Sequence, residues 1–309
     1  MGMIEAQDLT KKFAESTAVD AVTFSVNKGE VFGLLGSNGA GKTTTVRMLC
    51  CLISKTGGSA RIGDLDTSDK TDAMKIRKMI GIVHENVGLY ESLSAYANLE
   101  FFGRMYEAPA DLLKNNVEKY LKMLDIWGKR YQPIASFSNG MKQKVAIARA
   151  LIHEPEVLFM DEPTANLDPE ASRTIRDVIL DLKREKRTIF LNTHNLDEAQ
   201  RICDRVGVMR TRLIAVDTPQ NLEKAISSRK TIIVLENMSD DILQAVKSRH
   251  PRYMEVNGNS LLLEMADPQT ETPAMVNSIV AAGGKIRSVN ESGASLEDVY
   301  LKLIREADR

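Results

Sequence analysis

Apolar and polar residues alternate along the first two-thirds of the chain in two repeating patterns. Short apolar runs predict buried strands at residues 31–35, 157–160 and 188–191. Stretches with helical periodicity, such as residues 42–52 and 169–183, lie between or beside these runs. Strands that alternate with helices are typical of a mostly parallel sheet covered on both faces. The pattern therefore predicts an α/β fold for this part of the chain.

Two further features complete the prediction for residues 1–225. Residues 4–13 and 21–26 predict strands ahead of the first buried strand, and we expect them to be antiparallel. Residues 94–124 show helical periodicity with few strand signals. They indicate a helical subdomain that spans about residues 86–152.

The pattern changes after about residue 225, where residues 227–230 form a short polar break. The segments beyond the break predict short strands at 231–235, 253–256, 261–264 and 285–289, with helices at 240–248, 273–282 and 295–307. We predict that residues 226–309 form a small, separate α+β domain.

Length and composition limit the possible functions. The 309 residues are enough for two domains, and 43% hydrophobic with 27% charged residues is typical of a globular protein. The 41 Lys and Arg residues nearly balance the 42 Asp and Glu residues, without a basic run. We therefore expect no nucleic-acid partner.

The three cysteines have neither metal-ligand spacing nor the pattern of a secreted disulfide framework, which predicts a reducing, cytoplasmic location. Residues 1–12 lack the apolar core of a signal peptide. No apolar run reaches the roughly 18 residues that a membrane-spanning helix needs. If the protein works at a membrane, another chain must cross it.

A glycine-rich segment between a predicted strand and a predicted helix has the spacing of a phosphate-binding P-loop. Such a loop offers backbone N–H groups to phosphate oxygens, Lys42 would reach the β and γ phosphates of ATP, and the Thr43 hydroxyl would bind Mg²⁺. The alternative is a glycine-rich turn with a solvated lysine. The nucleotide-binding residues predicted here are Gly36, Ser37, Asn38, Gly39, Ala40, Gly41, Lys42, Thr43 and Thr44.

Two acidic residues follow the apolar strand at residues 157–160. Open α/β sheets bind ligands at the carboxyl ends of their strands, so Asp161 is placed to hold Mg²⁺ beside the P-loop. Glu162 is placed to act as general base on the attacking water. The alternative is an ordinary charged strand end.

These residues resemble the ATP-binding cassette (ABC) family of transport ATPases over about residues 3–225. The sequence Phe-Ser-Asn-Gly-Met at residues 137–141 stands in the place of the family's signature sequence, with departures at its first, third and fifth positions. Ser138 and Gly140 remain, and they offer a hydroxyl and backbone N–H groups at a helix start. The resemblance implies that this segment closes on the γ-phosphate bound to the other subunit.

The resemblance implies roles for four further residues. Asp168, at the end of Ala-Asn-Leu-Asp, matches the loop that communicates across the dimer, and His194 matches the family's switch histidine. Phe13 matches the aromatic residue that stacks on adenine, although it could equally be a strand-end or core residue. Glu85 stands where the family usually has Gln, a residue that contacts Mg²⁺ and couples to the membrane partner; its carboxylate could still bind Mg²⁺.

The resemblance also implies partners. It predicts a head-to-tail homodimer that buries two ATP molecules and drives a separate membrane-spanning permease, with the chain on the inner face of the cell membrane. Residues 85–106, 137–144 and 295–301 look similar to ATPase subunits of exporters for drugs, polysaccharides, lipids or sodium ions. Two alternatives are a soluble superfamily member acting on ribosomes or DNA, and an importer ATPase with a C-terminal barrel.

Overall fold

The structure is a computed structural model that describes residues 2–84, 87–225, 230–249, 251, 253–265, 267–292 and 295–307. It divides into two compact units, Met1–Pro219 and Gln220–Arg309. The strands are β1 Ile4–Phe13, β2 Ser16–Val26, β3 Val31–Leu35, β4 Gly57–Ile62, β5 Leu65–Asp66, β6 Ile80–Val83, β7 Val157–Asp161, β8 Thr188–Thr193, β9 Arg205–Arg210, β10 Arg212–Asp217, β11 Lys230–Leu235, β12 Tyr253–Asn257, β13 Ser260–Glu264 and β14 Ile286–Ser292. The helices are α1 Lys42–Leu49, α2 Lys70–Met79, α3 Ala95–Met105, α4 Ala110–Met123, α5 Asn139–Leu151, α6 Pro169–Arg184, α7 Leu196–Ile202, α8 Pro219–Ala225, α9 Asp240–Lys247, α10 Pro268–Ala281 and α11 Leu296–Ala307, with 3₁₀ turns at Trp127–Lys129 and Ile134–Ser136.

A six-stranded sheet forms the centre of the first unit, in the order β10-β9-β3-β8-β7-β6. Strands β9, β3, β8, β7 and β6 are parallel, and β10 is an antiparallel edge strand. Every residue of β3, β7 and β8 is buried, as expected for strands covered on both faces. Because β8 lies between β3 and β7, the carboxyl ends of these three strands meet at one edge of the sheet.

A second, antiparallel sheet in the first unit has the order β2-β1-β4-β5. Its apolar face shares one core with the six-stranded sheet. Phe24 of β2 stacks on Phe32 of β3, with ring centroids 5.4 Å apart, and Phe190 of β8 lies 5.5 Å from Phe32. The α/β fold with N-terminal antiparallel strands that the sequence predicts is confirmed.

Helices α3, α4 and α5 pack together within the segment predicted as a helical subdomain. Tyr120 of α4 is fully buried, and the Asn116 amide donates to the carbonyl oxygen of Ile152 at 2.9 Å. The Tyr106 ring, at the end of α3, stacks on His153 with 3.7 Å between centroids. These contacts join α3 and α4 to the end of α5. Domain limits of 86–152 for this segment stay a prediction.

The second unit contains an antiparallel sheet in the order β12-β13-β11-β14, with its own apolar core. Ile233 and Leu261 from the sheet pack in one cluster with Ile242 of α9 and Ile279 of α10. Helix α10 begins at Pro268, five residues before the predicted 273, since proline suits the first helical position; Pro273 lies inside the helix. The described strands form an open sheet and not a barrel.

Among the residues described, no helix is both long enough and apolar enough to cross a membrane.

Candidate functional site

The glycine-rich loop joins β3 to α1 at the carboxyl edge of the central sheet. Ser37, Asn38 and Gly39 are exposed, whereas Ala40 is buried. Gly41 has a φ of 96°, and a Cβ atom there would lie 2.3 Å from the carbonyl oxygen of Ala18. Only glycine fits that position without a shift of β2. The loop therefore delivers the amino terminus of α1, and its unpaired backbone N–H groups, at a fixed place on the sheet edge.

Lys42 opens helix α1 and turns its ammonium back onto the loop. Its Nζ donates to the carbonyl oxygens of Gly36 at 2.7 Å and Ser37 at 3.1 Å. Burial lowers the pKa of Lys42, an effect that the negative charges of Glu162 and Asp161 oppose. The lysine is thus a buried cation close to the two acidic residues predicted from the sequence.

Thr43 and Asp161 approach each other where α1 begins and β7 ends. The Thr43 Oγ1 donates to Asp161 Oδ2 at 3.1 Å, and Asn192 of β8 donates through Nδ2 to Asp161 Oδ1. Burial, with the charge of Glu162, raises the pKa of Asp161, whereas the bond from Thr43 lowers it. A hydroxyl and a carboxylate are hard oxygen donors that suit Mg²⁺, and a cation there would offset the cost of burying the carboxylate.

Glu162 and His194 form a direct pair at the ends of β7 and β8. The His194 Nδ1 lies 2.7 Å from Glu162 Oε1, and the Glu162 backbone N–H donates to the carbonyl oxygen of Asn192 at 2.8 Å. The Glu162 side chain is 15% exposed and its φ is 49°, in the left-handed region. This unusual backbone conformation turns the carboxylate toward His194 at the sheet edge.

Ser138, Gly140 and Asp168 come together at a second place, where α5 and α6 begin. Ser138 caps α5 by accepting the Met141 N–H at 3.3 Å, and Asp168 caps α6 by accepting the Ala171 N–H at 2.8 Å. A Cβ atom on Gly140 would lie 2.6 Å from the Cβ of Ala171. All three residues line one cleft of about 450 Å³. Two helix amino termini therefore open on the same cleft, which suits an anion.

Glu162 faces a different cleft, of about 360 Å³. The lining of this cleft also includes Gln143 of α5 and the segment Ala165, Asn166 and Leu167. Within one chain the structure thus forms two groups: the P-loop with Asp161, Glu162 and His194, and the cleft with Ser138, Gly140 and Asp168.

The roles predicted for Phe13 and Glu85 stay predictions. Phe13 is half exposed at the end of β1, and the Lys11 ammonium lies 4.8 Å from the centre of its ring. Its stacking on adenine stays a prediction. Glu85 lies outside the described residues, and its neighbour His84 has a pKa lowered by burial and by the charge of Arg149.

Sequence reasoning missed Asn192 and Glu198. Asn192 donates to Asp161, and it stands two residues before His194 at the end of β8. Glu198 is 2% exposed, although Glu is rarely buried. Only its position four residues after His194 could have indicated a link with the site.

Comparison with known proteins gives three relevant similarities. Residues 19–165 match a family model described as ABC transporter. The chain is 30% identical to the linearmycin resistance ATP-binding protein LnrL of Bacillus subtilis, over 97% of this chain and 98% of that protein. It is 33% identical to the Nod factor export ATP-binding protein I of Ralstonia nicotianae, over 97% of this chain and 93% of that protein.

A solved structure described as the dimeric, post-hydrolysis state of the ATP-binding cassette MJ0796 with ADP and Pi is also similar. The TM-score is 0.64 and the identity 26%, over 70% of this chain and 98% of that one. The similarity therefore extends over most of the first unit's length.

Proposed function

Because this chain belongs to the ABC transporter family of ATP-binding proteins, we propose that its first unit hydrolyses ATP in a head-to-tail homodimer that drives a membrane-spanning permease. The chain is an ABC ATPase of the export type, since its relatives are named as export and resistance ATP-binding proteins. ABC ATP-binding subunits form dimers and work with permeases. We also propose that the two subunits are identical chains and that the dimer lies on the inner face of the cell membrane.

The observation that carries the proposal is the Glu162–His194 pair beside the P-loop. Glu162 Oε1 is held by His194 at 2.7 Å; Oε2 lies 3.4 Å from Thr193 Oγ1 and has a second lone pair, which would accept a proton from water as the water oxygen attacks the γ-phosphorus. The bond between the γ-phosphorus and the bridging oxygen breaks, and ADP leaves with that oxygen. The accepted proton then passes from Glu162 to the released phosphate or to solvent.

The remaining residues would position and neutralise the phosphates. The first-turn N–H groups of α1 and the Lys42 ammonium would bind phosphate oxygens. Thr43 and Asp161 would hold Mg²⁺, which neutralises charge on the β and γ phosphates when bound. Ser138 and Gly140 of the partner would close on the γ-phosphate across the dimer, with Asp168 capping the neighbouring helix.

We infer the dimer from the cleft of Ser138, Gly140 and Asp168, whose described lining contains no P-loop residue. A site built from this cleft of one subunit and the P-loop of the other occurs twice about a two-fold axis. ATP then joins the subunits, and loss of the γ-phosphate releases them. A role on ribosomes or DNA is not favoured, because the relatives are named for export and resistance.

The substitution Glu162→Gln tests the proposal. It removes the base and keeps the shape of the side chain, so we expect turnover to fall about 100-fold or more, while MgATP shifts the gel-filtration mass to that of a dimer. Glu118→Gln is the matched control, because Glu118 is a half-exposed residue of α4 that pairs with Lys122. Normal hydrolysis by Glu162→Gln, or a monomer in MgATP, would contradict the assignment.

A further inference from the structure

Glu198 lies in the first turn of α7, yet its carboxylate faces the protein interior. Asn195 caps the helix by accepting the Glu198 N–H at 3.1 Å. A glutamate at this position commonly reaches back to the backbone N–H of the cap residue. Here the Asn195 N–H donates instead to Thr193 Oγ1 at 3.0 Å. The Glu198 side chain is therefore not needed for capping, and it is only 2% exposed.

The Glu198 carboxylate contacts two segments: the one that follows β7 and the one that ends β8. Its Oε2 accepts from Thr164 Oγ1 at 3.0 Å, and Thr193 Oγ1 lies 3.5 Å away. Its Oε1 is buried and has no hydrogen-bond partner within the described part of the chain. Thr164 stands two residues after Glu162, and Thr193 directly precedes His194. The buried carboxylate of Glu198 thus contacts the two segments that carry Glu162 and His194.

The Thr193 hydroxyl lies between two carboxylates. Its Oγ1 is 3.4 Å from Glu162 Oε2 and 3.5 Å from Glu198 Oε2, and it has a single proton to donate. Burial raises the pKa of Glu198, an effect that the hydrogen bond from Thr164 and the charge of Arg176 oppose. Thr193 therefore lies within reach of both side chains, and only one of them can accept its proton at a time.

We infer that Glu198 is a positioning residue for ATP hydrolysis: through Thr164 and Thr193 it fixes the loops that carry Glu162 and His194 and so maintains their 2.7 Å contact. A carboxylate that is half unpaired and almost fully buried costs stability. A role in the active site explains its presence better than a role in folding does. The inference rests on the proposed role of Glu162 as the base.

A matched pair of substitutions separates positioning from folding. Glu30 is also buried, at 6% exposed, and it directly precedes β3, at the end of that strand away from the site. It accepts from the Asn27 N–H at 2.6 Å and binds Arg205. We expect Glu198→Ala to lower kcat about ten-fold or more with KM for MgATP within about two-fold, because a transition-state contact is lost. Glu198→Gln keeps an oxygen acceptor for Thr164 and should retain most of the turnover. Glu30→Ala should lower Tm and leave kcat per folded molecule unchanged.

A double-mutant cycle tests the path through Thr193. Thr193→Val removes the hydroxyl at nearly constant volume, and its effect on kcat should not add to that of Glu198→Ala. Additive effects of the two substitutions on kcat would overturn the inference. So would a Glu198→Ala variant no slower than Glu30→Ala, or a Glu198→Gln variant as slow as Glu198→Ala. Glu162→Gln is measured alongside. If it still turns over, the proposed base is wrong; if it is inactive and Glu198→Ala is normal, only the positioning role fails.

Discussion

The imidazole of His153 shows how one residue can set a dependence on pH. Its Nε2 lies 3.0 Å from the carbonyl oxygen of Ile80, so Nε2 carries the proton. Its Nδ1 is buried without a hydrogen-bond partner among the described residues. Protonation would place an N–H group there with no acceptor, and burial accordingly lowers the pKa of His153.

We expect His153 to make the protein less stable in acid. The folded state binds this proton less readily than the unfolded state, whose pKa is near the ordinary 6.5. Stability from the neutral ring is therefore present above about pH 6.5 and is lost as the pH falls through the lowered pKa of the folded state. His153→Phe keeps a ring to stack on Tyr106 and removes this titration.

Urea unfolding from pH 7.5 to 5.5 measures this effect. The free energy of unfolding of the wild type should decrease relative to that of His153→Phe as the pH falls. His84, whose pKa is also lowered, titrates in both proteins and cancels from the difference. Parallel curves would show that the ring is not responsible.

Residues of the site differ in how far the sequence reveals them. Lys42 and Thr43 are evident because phosphate binding requires them within a few residues of the glycines. Asn192 and Glu198 act through contacts with Asp161, Thr164 and Thr193, which exist only because β8 lies beside β7. That neighbour relation is a property of the strand order, and no local pattern specifies it.

At the scale of elements, the junction of α5 and α6 depends on one close approach. Gly140 and Ala171 lie in the first turns of these helices, and an added Cβ on Gly140 would be 2.6 Å from the Ala171 Cβ. The same junction holds Asp168, the cap of α6, which lies 3.5 Å from that added atom. The distance between the two helix starts therefore fixes the shape of the cleft.

Gly140→Ala should destabilise the first unit by about 1–3 kcal/mol through overpacking. Ala171→Gly alone should cost about 1 kcal/mol, because glycine is a poor helix former. The double variant should cost less than the sum of the two, since the second change makes room for the first. Urea unfolding of all three variants checks this, and simple additivity would argue against the contact.

Element limits could be predicted from the sequence where a local signal exists. Helix α6 begins at Pro169 as predicted, because Asp168 caps it and proline suits the first position. Helix α1 ends at Leu49 and not at 52, since Cys51 has a φ of 56° and leaves the helical conformation. Apolar periodicity through Leu52 gave no sign of that turn.

At the scale of the whole molecule, each of the two units has a core of its own. The cluster around Ile233 and Leu261 contains only residues of the second unit, and the cluster around Phe32 and Phe190 only residues of the first. The change in sequence pattern near residue 225 lies close to this division, and the domain limits drawn from it stay a prediction. Which permease the chain serves is not encoded in either core.

Units with separate cores should unfold in separate transitions. Leu261→Ala should destabilise the second unit by about 2–5 kcal/mol, because it leaves a cavity at a fully buried position. The single tryptophan, Trp127, reports only on the first unit. Its fluorescence midpoint in urea should stay unchanged, while circular dichroism shows an earlier loss of structure.

Leu121→Ala is the matched control, since Leu121 is fully buried in the first unit. It should move the fluorescence midpoint. If Leu261→Ala also moved that midpoint, the two units would unfold together.

The ammonium of Lys42 is already shared between two carbonyl oxygens of its own loop, at 2.7 and 3.1 Å. The ammonium has three N–H donors, so a phosphate that takes more than the third must displace those oxygens, and binding then exchanges one set of hydrogen bonds for another. The enthalpy of binding is then the difference between the hydrogen bonds made to phosphate and those given up in the loop. In return, the loop keeps its shape before the phosphate arrives, which reduces the entropy lost on binding.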